Sequence, residues 1–422
     1  MSISNSISEI LNIKDENIIF NEDFVKSEKI KGKRSLVFKG YLNEELKSCP
    51  NCGTIKDDKL IKYGIKPVRI KMPKVSELNT YLVLKKQVYK CYHCKKKYTS
   101  QTNIIGYRKR ISNNTKVSVI DYSKDVLTNK QIGKRHNISS MTVQRTNNKI
   151  YDGVGIYKDY LPENLCFDEF TYKRQIMAFN FCDAENGKTV DLVEDRTLNN
   201  LIKYFSYYFS EARDKVKHIV IDMFKPYITL IKKCFKNAKI IIDMFHIVQL
   251  ISRSLNKTRI KAMKGNKEDC RKFKRYWRLL LTSRLDLKCS HWKKYPCFKH
   301  LTTERDIVDY LLNSSPELKE SYNLYQNILY ALQHRNYKIL EEILVKDYPL
   351  ISDYMKTSLS TLKDFLPYIK NTLENNLSNG IMERNNNTCK LIKRIAFGFR
   401  NFKNFKSRVL IATSLFRTAK ST

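Results

Sequence analysis

Apolar and polar residues alternate along two stretches of the N-terminal quarter. Val68, Ile70 and Met72 mark the first, and Tyr81 to Val88 the second, a period of two that predicts strands. From about Thr115 to Tyr151 the spacing becomes helical, with Val117, Ile120 and Val126, then Ile132, Ile138, Met141 and Val143, and no proline interrupts it. The pattern changes again at Asn164. Short apolar runs ending at Phe167, Ile221 and Ile242 alternate with amphipathic segments over 198–209 and 227–235, which predicts an α/β layer. Between about Ser252 and Tyr368 the chain is basic and helix-patterned. A last helix begins near Asn379 and runs into a basic, aromatic tail. Residues 1–47 show no motif and receive no assignment.

Composition sharpens this picture. Lys and Arg number 79 against 42 acidic residues, a net charge of +37 over 422 residues, so the chain attracts polyanions and nucleic acid is the leading partner. The length allows several domains. No apolar run approaches the roughly 18 residues of a membrane span, and the N-terminus lacks a basic start followed by an apolar core. A cytoplasmic, nucleoid-associated protein with no membrane partner is expected. Of 11 cysteines, seven stand singly (Cys166, Cys182, Cys234, Cys270, Cys289, Cys297 and Cys389), which points to reduced thiols.

The other four are paired. Cys49 and Cys52, then Cys91 and Cys94, form two Cys-x-x-Cys knuckles, the first with Pro50 and Gly53 favouring a tight turn. Thiolates at that spacing close one tetrahedral Zn²⁺ site, with the residues between them folded as a long hairpin or two. A redox pair or plain buried thiols would explain two coincident copies less well. A helix-turn-helix is expected in TNKQIGKRHNISSMTVQRTNNKI, with Gln131 to His136 as its first helix and Ser140 capping the second. Thr142, Gln144, Arg145 and Asn148 on that second helix have the chemistry to read a DNA major groove, although a solvated polar face would look the same.

Carboxylates supply the remaining chemistry. Asp168 follows Leu165-Cys166-Phe167 and Asp222 follows His218-Ile219-Val220-Ile221, placing both at the ends of buried strands, where a lone carboxylate is costly. Glu383 lies in the last helix. Two strand-end aspartates and a helical glutamate provide the hard oxygen ligands that a pair of Mg²⁺ or Mn²⁺ ions requires.

The segments NLCFDEF, HIVIDMFKPYITLIKKCFKNAKIIIDMFHIVQL and SNGIMERNNNTCKLIKRIAFGFRNFKNFKSRVL closely resemble transposases of the ISL-three family, and the likeness extends from about Cys49 to Leu410. The resemblance implies an RNase-H-like catalytic domain with a DDE triad, which falls on Asp168, Asp222 and Glu383. Asp243 and His246 form an Asp-x-x-His similar to one in related eukaryotic transposases, which implies support for the active site from behind its ligands. Met244 stands where the family commonly has a basic residue, and Arg384 where it has glycine. Glu169 is expected to face away from Asp168 because neighbouring strand residues alternate. At about 100° per residue, Lys390 and Arg394 project within roughly 20° of Glu383, suited to hold flanking phosphates.

The expected architecture is therefore multidomain α+β. Its parts are an unassigned segment (1–47), a zinc ribbon (48–105), a helix-turn-helix domain (106–155), an RNase-H-like α/β domain (160–250), a helical insertion (251–371), and the final catalytic helix with its basic tail (372–415). The implied function is metal-dependent cleavage and strand transfer at the terminal inverted repeats of an insertion sequence. Its partners would be double-stranded DNA, both element ends and target, and a second copy of the chain on synapsis. A DNA-binding protein without catalysis and a nuclease without strand transfer are the alternatives.

Overall fold

This computed structural model describes residues 3–55, 59–154, 158–173 and 175–414, so the expected boundaries at 1, 155 and 415 lie outside the described residues. The chain forms two units, residues 1–155 with 388–422, and residues 156–387.

In the first unit α1 (Ile3–Ile10) precedes β1 (Ile18–Ile30), β2 (Lys33–Leu42), β3 (Leu60–Val75), β4 (Leu78–Cys91) and β5 (Lys97–Thr99). The sheet order is β1-β2-β4-β3, with β5 also paired to β4. The β3–β4 hairpin turns at Ser76 and Glu77, both at positive φ (47° and 60°), the conformation that matches the twist of the flanking strands. Residues 1–47 are not a separate segment. β2 runs parallel to β4, and Ile7, Phe20 and Phe38 share one core with Ile70, Leu82 and Leu84. The alternating apolar face of β4 requires a cover, and the N-terminal elements provide it.

Three helices follow, α2 (Asn113–Tyr122), α3 (Asn129–Arg135) and α4 (Ser140–Val154). Thr128 and Gln131 cap α3 reciprocally, and Val119, Ile132 and Val143 pack together, one from each helix. Gly133 permits a close approach: a Cβ there would lie 2.7 Å from the Ile138 carbonyl oxygen. Two boundaries differ from expectation. α3 begins at Asn129, where the capping box starts it, and the cap of α4 is Ser139, whose hydroxyl accepts from Thr142 N at 3.2 Å.

The second unit holds β6 (Asn164–Lys173), β7 (Ile176–Asp183), β8 (Thr189–Val193), α5 (Leu198–Phe205), α6 (Ser210–Asp214), β9 (His218–Ile221), α7 (Lys225–Cys234), β10 (Lys239–Ile242) and α8 (Met244–Gly265). Its sheet order is β10-β9-β6-β7-β8. The first three strands of that order are parallel, and β6, β7 and β8 are antiparallel. One face buries Phe167, Ile219, Ile221 and Ile242 in the main core, while Cys166, Val220 and Ile241 pack with Met382 on the other.

Beyond α8 come α9 (Cys270–Arg275), α10 (Trp277–Leu281), the short strands β11 (Lys293–Lys294) and β12 (Leu301–Thr302), α11 (Glu304–Asn313), α12 (Pro316–Gln333), α13 (Tyr337–Val345) and α14 (Asp353–Glu374). The expected limits of a helical insertion, 251 and 371, fall inside α8 and α14. These helices share the sheet's own core, which runs from Leu161 to Leu373. α14 also closes the open edge of β10: Asn371 donates to Ile240 O, and Thr372 Oγ1 accepts from Ile242 N and donates to Ile242 O.

α15 (Gly380–Ile395) and α16 (Phe402–Thr413) complete the chain. The tail was expected to extend the catalytic domain, yet α16 packs on α4 in the first unit. Arg408, 3% exposed, reaches the carbonyls of Ser123, Asp125 and Leu127, and Ser407 and Asn404 bond Asn148.

Candidate active site and zinc cluster

Asn164, His218 and Lys239 are register partners across β6, β9 and β10. Asp168, Asp222 and Asp243 each follow four residues later, so the three carboxylates stand level, Asp222 and Asp243 just past the C-terminal ends of β9 and β10 and Asp168, against the expectation of a strand end, midway along the longer β6. Alternation puts them on the face of Cys166, Val220 and Ile241. This is the strand end at which open parallel sheets place their ligands.

A cavity of about 300 Å³ opens there, lined by Asp168, Glu169, Asp222, Tyr227 and His246 among others. Asp168 Oδ1 accepts from Glu169 N at 2.7 Å and Oδ2 from Asn386 Nδ2 at 2.6 Å. Asp222 Oδ1 meets His246 Nδ1 at 3.0 Å and Asn379 Nδ2 at 3.2 Å. Asp243 is 5% exposed, accepts from Asn379 N and lies 3.1 Å from the same imidazole nitrogen. Asp222, Asp243 and His246 thus form one cluster of potential ligands. Burial, and then the charge of Asp222, push Asp168 up to about 7. Burial also raises Asp222, while the bond to Asp243 raises His246. Level, half-buried carboxylates that repel one another and present oxygen donors fit a hard divalent cation.

One expectation fails here. Glu169 does not turn away: it lines the cavity, accepts from Tyr227 Oη at 3.0 Å and pairs with Arg196. β9 pairs with β6 only as far as Cys166, so past that point both faces of β6 open onto the same notch. Glu383 is exposed in the first turn of α15 and is not brought into contact with Asp168 or Asp222. Its helix neighbours make those contacts.

At the other metal centre, Cys49 Sγ lies 3.6 Å from Cys94 Sγ, and Cys52 Sγ 3.7 Å from Cys91 Sγ. All four sulfurs fall within 4.8 Å of one another. Zn–S bonds of about 2.3 Å give a tetrahedral edge of roughly 3.8 Å, so the cluster has the dimensions of a structural zinc site. Gly53 and Lys95, each four residues after the first cysteine of its knuckle, share positive φ (71° and 58°). The Thr54 hydroxyl, together with its amide, draws the Cys52 thiol down to about 5. His93 is exposed and is not one of the four ligand residues, its side chain instead bonding Cys52.

A family model described as a transposase, of the ISL-three type, matches residues 165–409, and another, the zinc-finger of transposase IS204/IS1001/IS1096/IS1165, matches residues 45–94. The chain belongs to this transposase family. Among curated proteins, the "Transposase for insertion sequence element IS1001" of Bordetella parapertussis is 24% identical over 264 residues, 59% of this chain and 61% of that protein. An "ATP-dependent protease" of Lactococcus lactis subsp. lactis is 50% identical over 112 residues, 26% of this chain and 36% of that protein. The chain therefore spans about a third of one relative's length and three fifths of the other's. Gly187-Lys188-Thr189 follows Cys182, a buried strand residue, where a nucleotide-phosphate loop requires glycine.

Sequence reasoning missed the asparagines that bond the carboxylates, on β7 and at α15. Asn379, Asn386 and Asn180 are all at least 95% buried, and Asn180 Nδ2 donates to Asn386 Oδ1 at 2.9 Å. The signal was there: Asn385, Asn386 and Asn387 are poor helix formers in mid-helix, a choice that makes sense where side-chain amides have work elsewhere. The proposed reading helix also needs correction. Gln144 is buried and bonded to Asn129 and Asn148, and Asn148 is taken by α16, so neither faces solvent as a base reader. Arg145 is exposed and Thr142 half-exposed, with Ser140, Met141 and Lys149 beside them on the open side. Lys390 and Arg394 are both exposed. Among the described residues no helix is long and apolar enough to cross a membrane.

Proposed function

We propose that the chain is a DNA transposase that binds the terminal inverted repeats of an insertion sequence and carries out cleavage and strand transfer with an RNase-H-like domain. The level placement of Asp168 and Asp222 on adjacent parallel strands, half-buried and mutually repelling, is the observation that carries this reading. Asp168, Asp222 and Glu383 would hold two Mg²⁺ or Mn²⁺ ions, which when bound supply Lewis acidity for phosphodiester hydrolysis and for attack by a freed 3′-hydroxyl. Glu383 is assigned as the third carboxylate from its position. It lies one turn from Asn379 and one turn from Asn386, the residues that bond Asp222 and Asp168. The two asparagines and His246 fix the carboxylate rotamers, so their oxygens need little rearrangement.

End recognition is assigned to the zinc ribbon and to a helix-turn-helix of α3 and α4. Arg145 and Thr142 would reach base edges, and Gln144 and Asn148 would support that surface from within. Lys390 and Arg394 would hold flanking phosphates, and the charge of +37 would draw in both element and target DNA. Pairing two ends would bring two copies together. Incubating the full chain with element ends and Mg²⁺ or Mn²⁺ should give nicks at the element boundary and, with target present, joined products. Specific binding without either product would leave a DNA-binding protein, and nicks without joining a nuclease.

A further inference from the structure

On α8, His246, Gln249 and Arg253 recur at intervals of three and four residues, one stripe of the helix. All three line the carboxylate cavity. The carboxylates already have protein partners: Asp168 has Asn386, Asp222 has His246 and Asn379, and Glu169 has Arg196 and Tyr227. Arg253 has none. It is exposed, and among the described residues it enters no ion pair or hydrogen bond. The cavity therefore has an acidic floor and an uncommitted guanidinium on its wall.

We propose that Arg253 is a phosphate subsite, gripping the DNA strand a few nucleotides from the phosphate held at the carboxylates, an inference that rests on the transposase reading above. A guanidinium offers two parallel N–H donors to a phosphate, and on the wall that phosphate would meet the one cation of the stripe at a distance from the carboxylates that repel it. Seven residues of helix separate His246 from Arg253 by about 10 Å, too far for the same phosphate and suited to one two or three nucleotides along a strand rising about 3.4 Å per step. Gln249, between them, has amide donors for the intervening backbone.

The full chain, with Ca²⁺ in place of the catalytic ion, would be titrated with a pre-nicked element end carrying single neutral methylphosphonates at each of the four positions on either side of the nick. In the wild type, one position within three nucleotides of the nick should weaken binding about tenfold. Arg253→Ala should weaken the unmodified end by a similar factor, lower the salt slope by about one, and abolish the further penalty at that position alone. Arg253→Lys should recover part of the affinity, and Lys257→Ala, one turn farther along α8, should leave the methylphosphonate profile unchanged. Identical profiles in wild type and Arg253→Ala, or the same change from Lys257→Ala, would overturn the subsite. A wild-type chain that neither prefers nor cleaves element ends would overturn the transposase reading itself, and the subsite with it.

Discussion

Asn386 on α15 donates its side-chain amide to Asp168 Oδ2 over 2.6 Å, and its own oxygen is held by Asn180, the residue opposite Asp168 on β7. One amide thus ties α15 to the middle of the central strand. Asn386→Leu should reduce cleavage at least tenfold and leave end binding unchanged. It should also cost about 1–3 kcal/mol of stability through the unsatisfied Asn180. Single-turnover cleavage beside a thermal melt would check both, and an unaltered rate would remove Asn386 from the positioning of Asp168.

Asp168→Asn, Asp222→Asn and Glu383→Gln should each abolish cleavage while end binding persists, because affinity comes from basic residues elsewhere. Asp243→Asn should be milder. Asp243 is absent from the cavity lining, and its two oxygens are engaged by Asn379 N and His246. An Asp243→Asn variant as inactive as Asp222→Asn would make Asp243 a ligand. Wild-type cleavage by Glu383→Gln would reduce that exposed carboxylate to a solvated helix residue.

Metal analysis of protein purified under reducing conditions should find one zinc per chain. Chelation or Cys49→Ser should abolish binding of terminal repeats, with loss of hydrogen-exchange protection confined to the cysteine end around Leu60 and Tyr89. The part of the sheet built on Leu82 and Leu84 has its own core with α1, β1 and β2, and should stay protected. Global unfolding on chelation would show that the zinc holds more of this unit than its own end.

Arg408→Met should destabilise the first unit by about 2–4 kcal/mol, since it strands the carbonyls of Ser123, Asp125 and Leu127. Lys403→Met, which breaks a half-exposed pair with Asp152, should change stability by no more than about 0.5 kcal/mol. Equal losses in the two variants, measured by denaturant melts, would refute a structural role specific to Arg408.

Sequence alone determined the features written in short-range spacing. Two Cys-x-x-Cys knuckles announced a zinc cluster, because four thiolates at those intervals have one economical geometry. Apolar runs leading into Asp168 and Asp222 announced carboxylates on buried strands, because period and burial are local properties, although only Asp222 proved to stand at a strand end. Tertiary structure decided what depends on residues far apart in the chain. The common level of Asp168, Asp222 and Asp243 is a matter of interstrand register, which no single segment encodes. Glu169 enters the cavity because β9 stops short of it, Asn148 turns inward because α16, more than 250 residues later, packs on α4, and Gln144 is held between Asn148 and Asn129 of α3. Exposure of Arg145 and burial of Gln144, adjacent polar residues on one helix, follow from which side of α4 its packing partners cover.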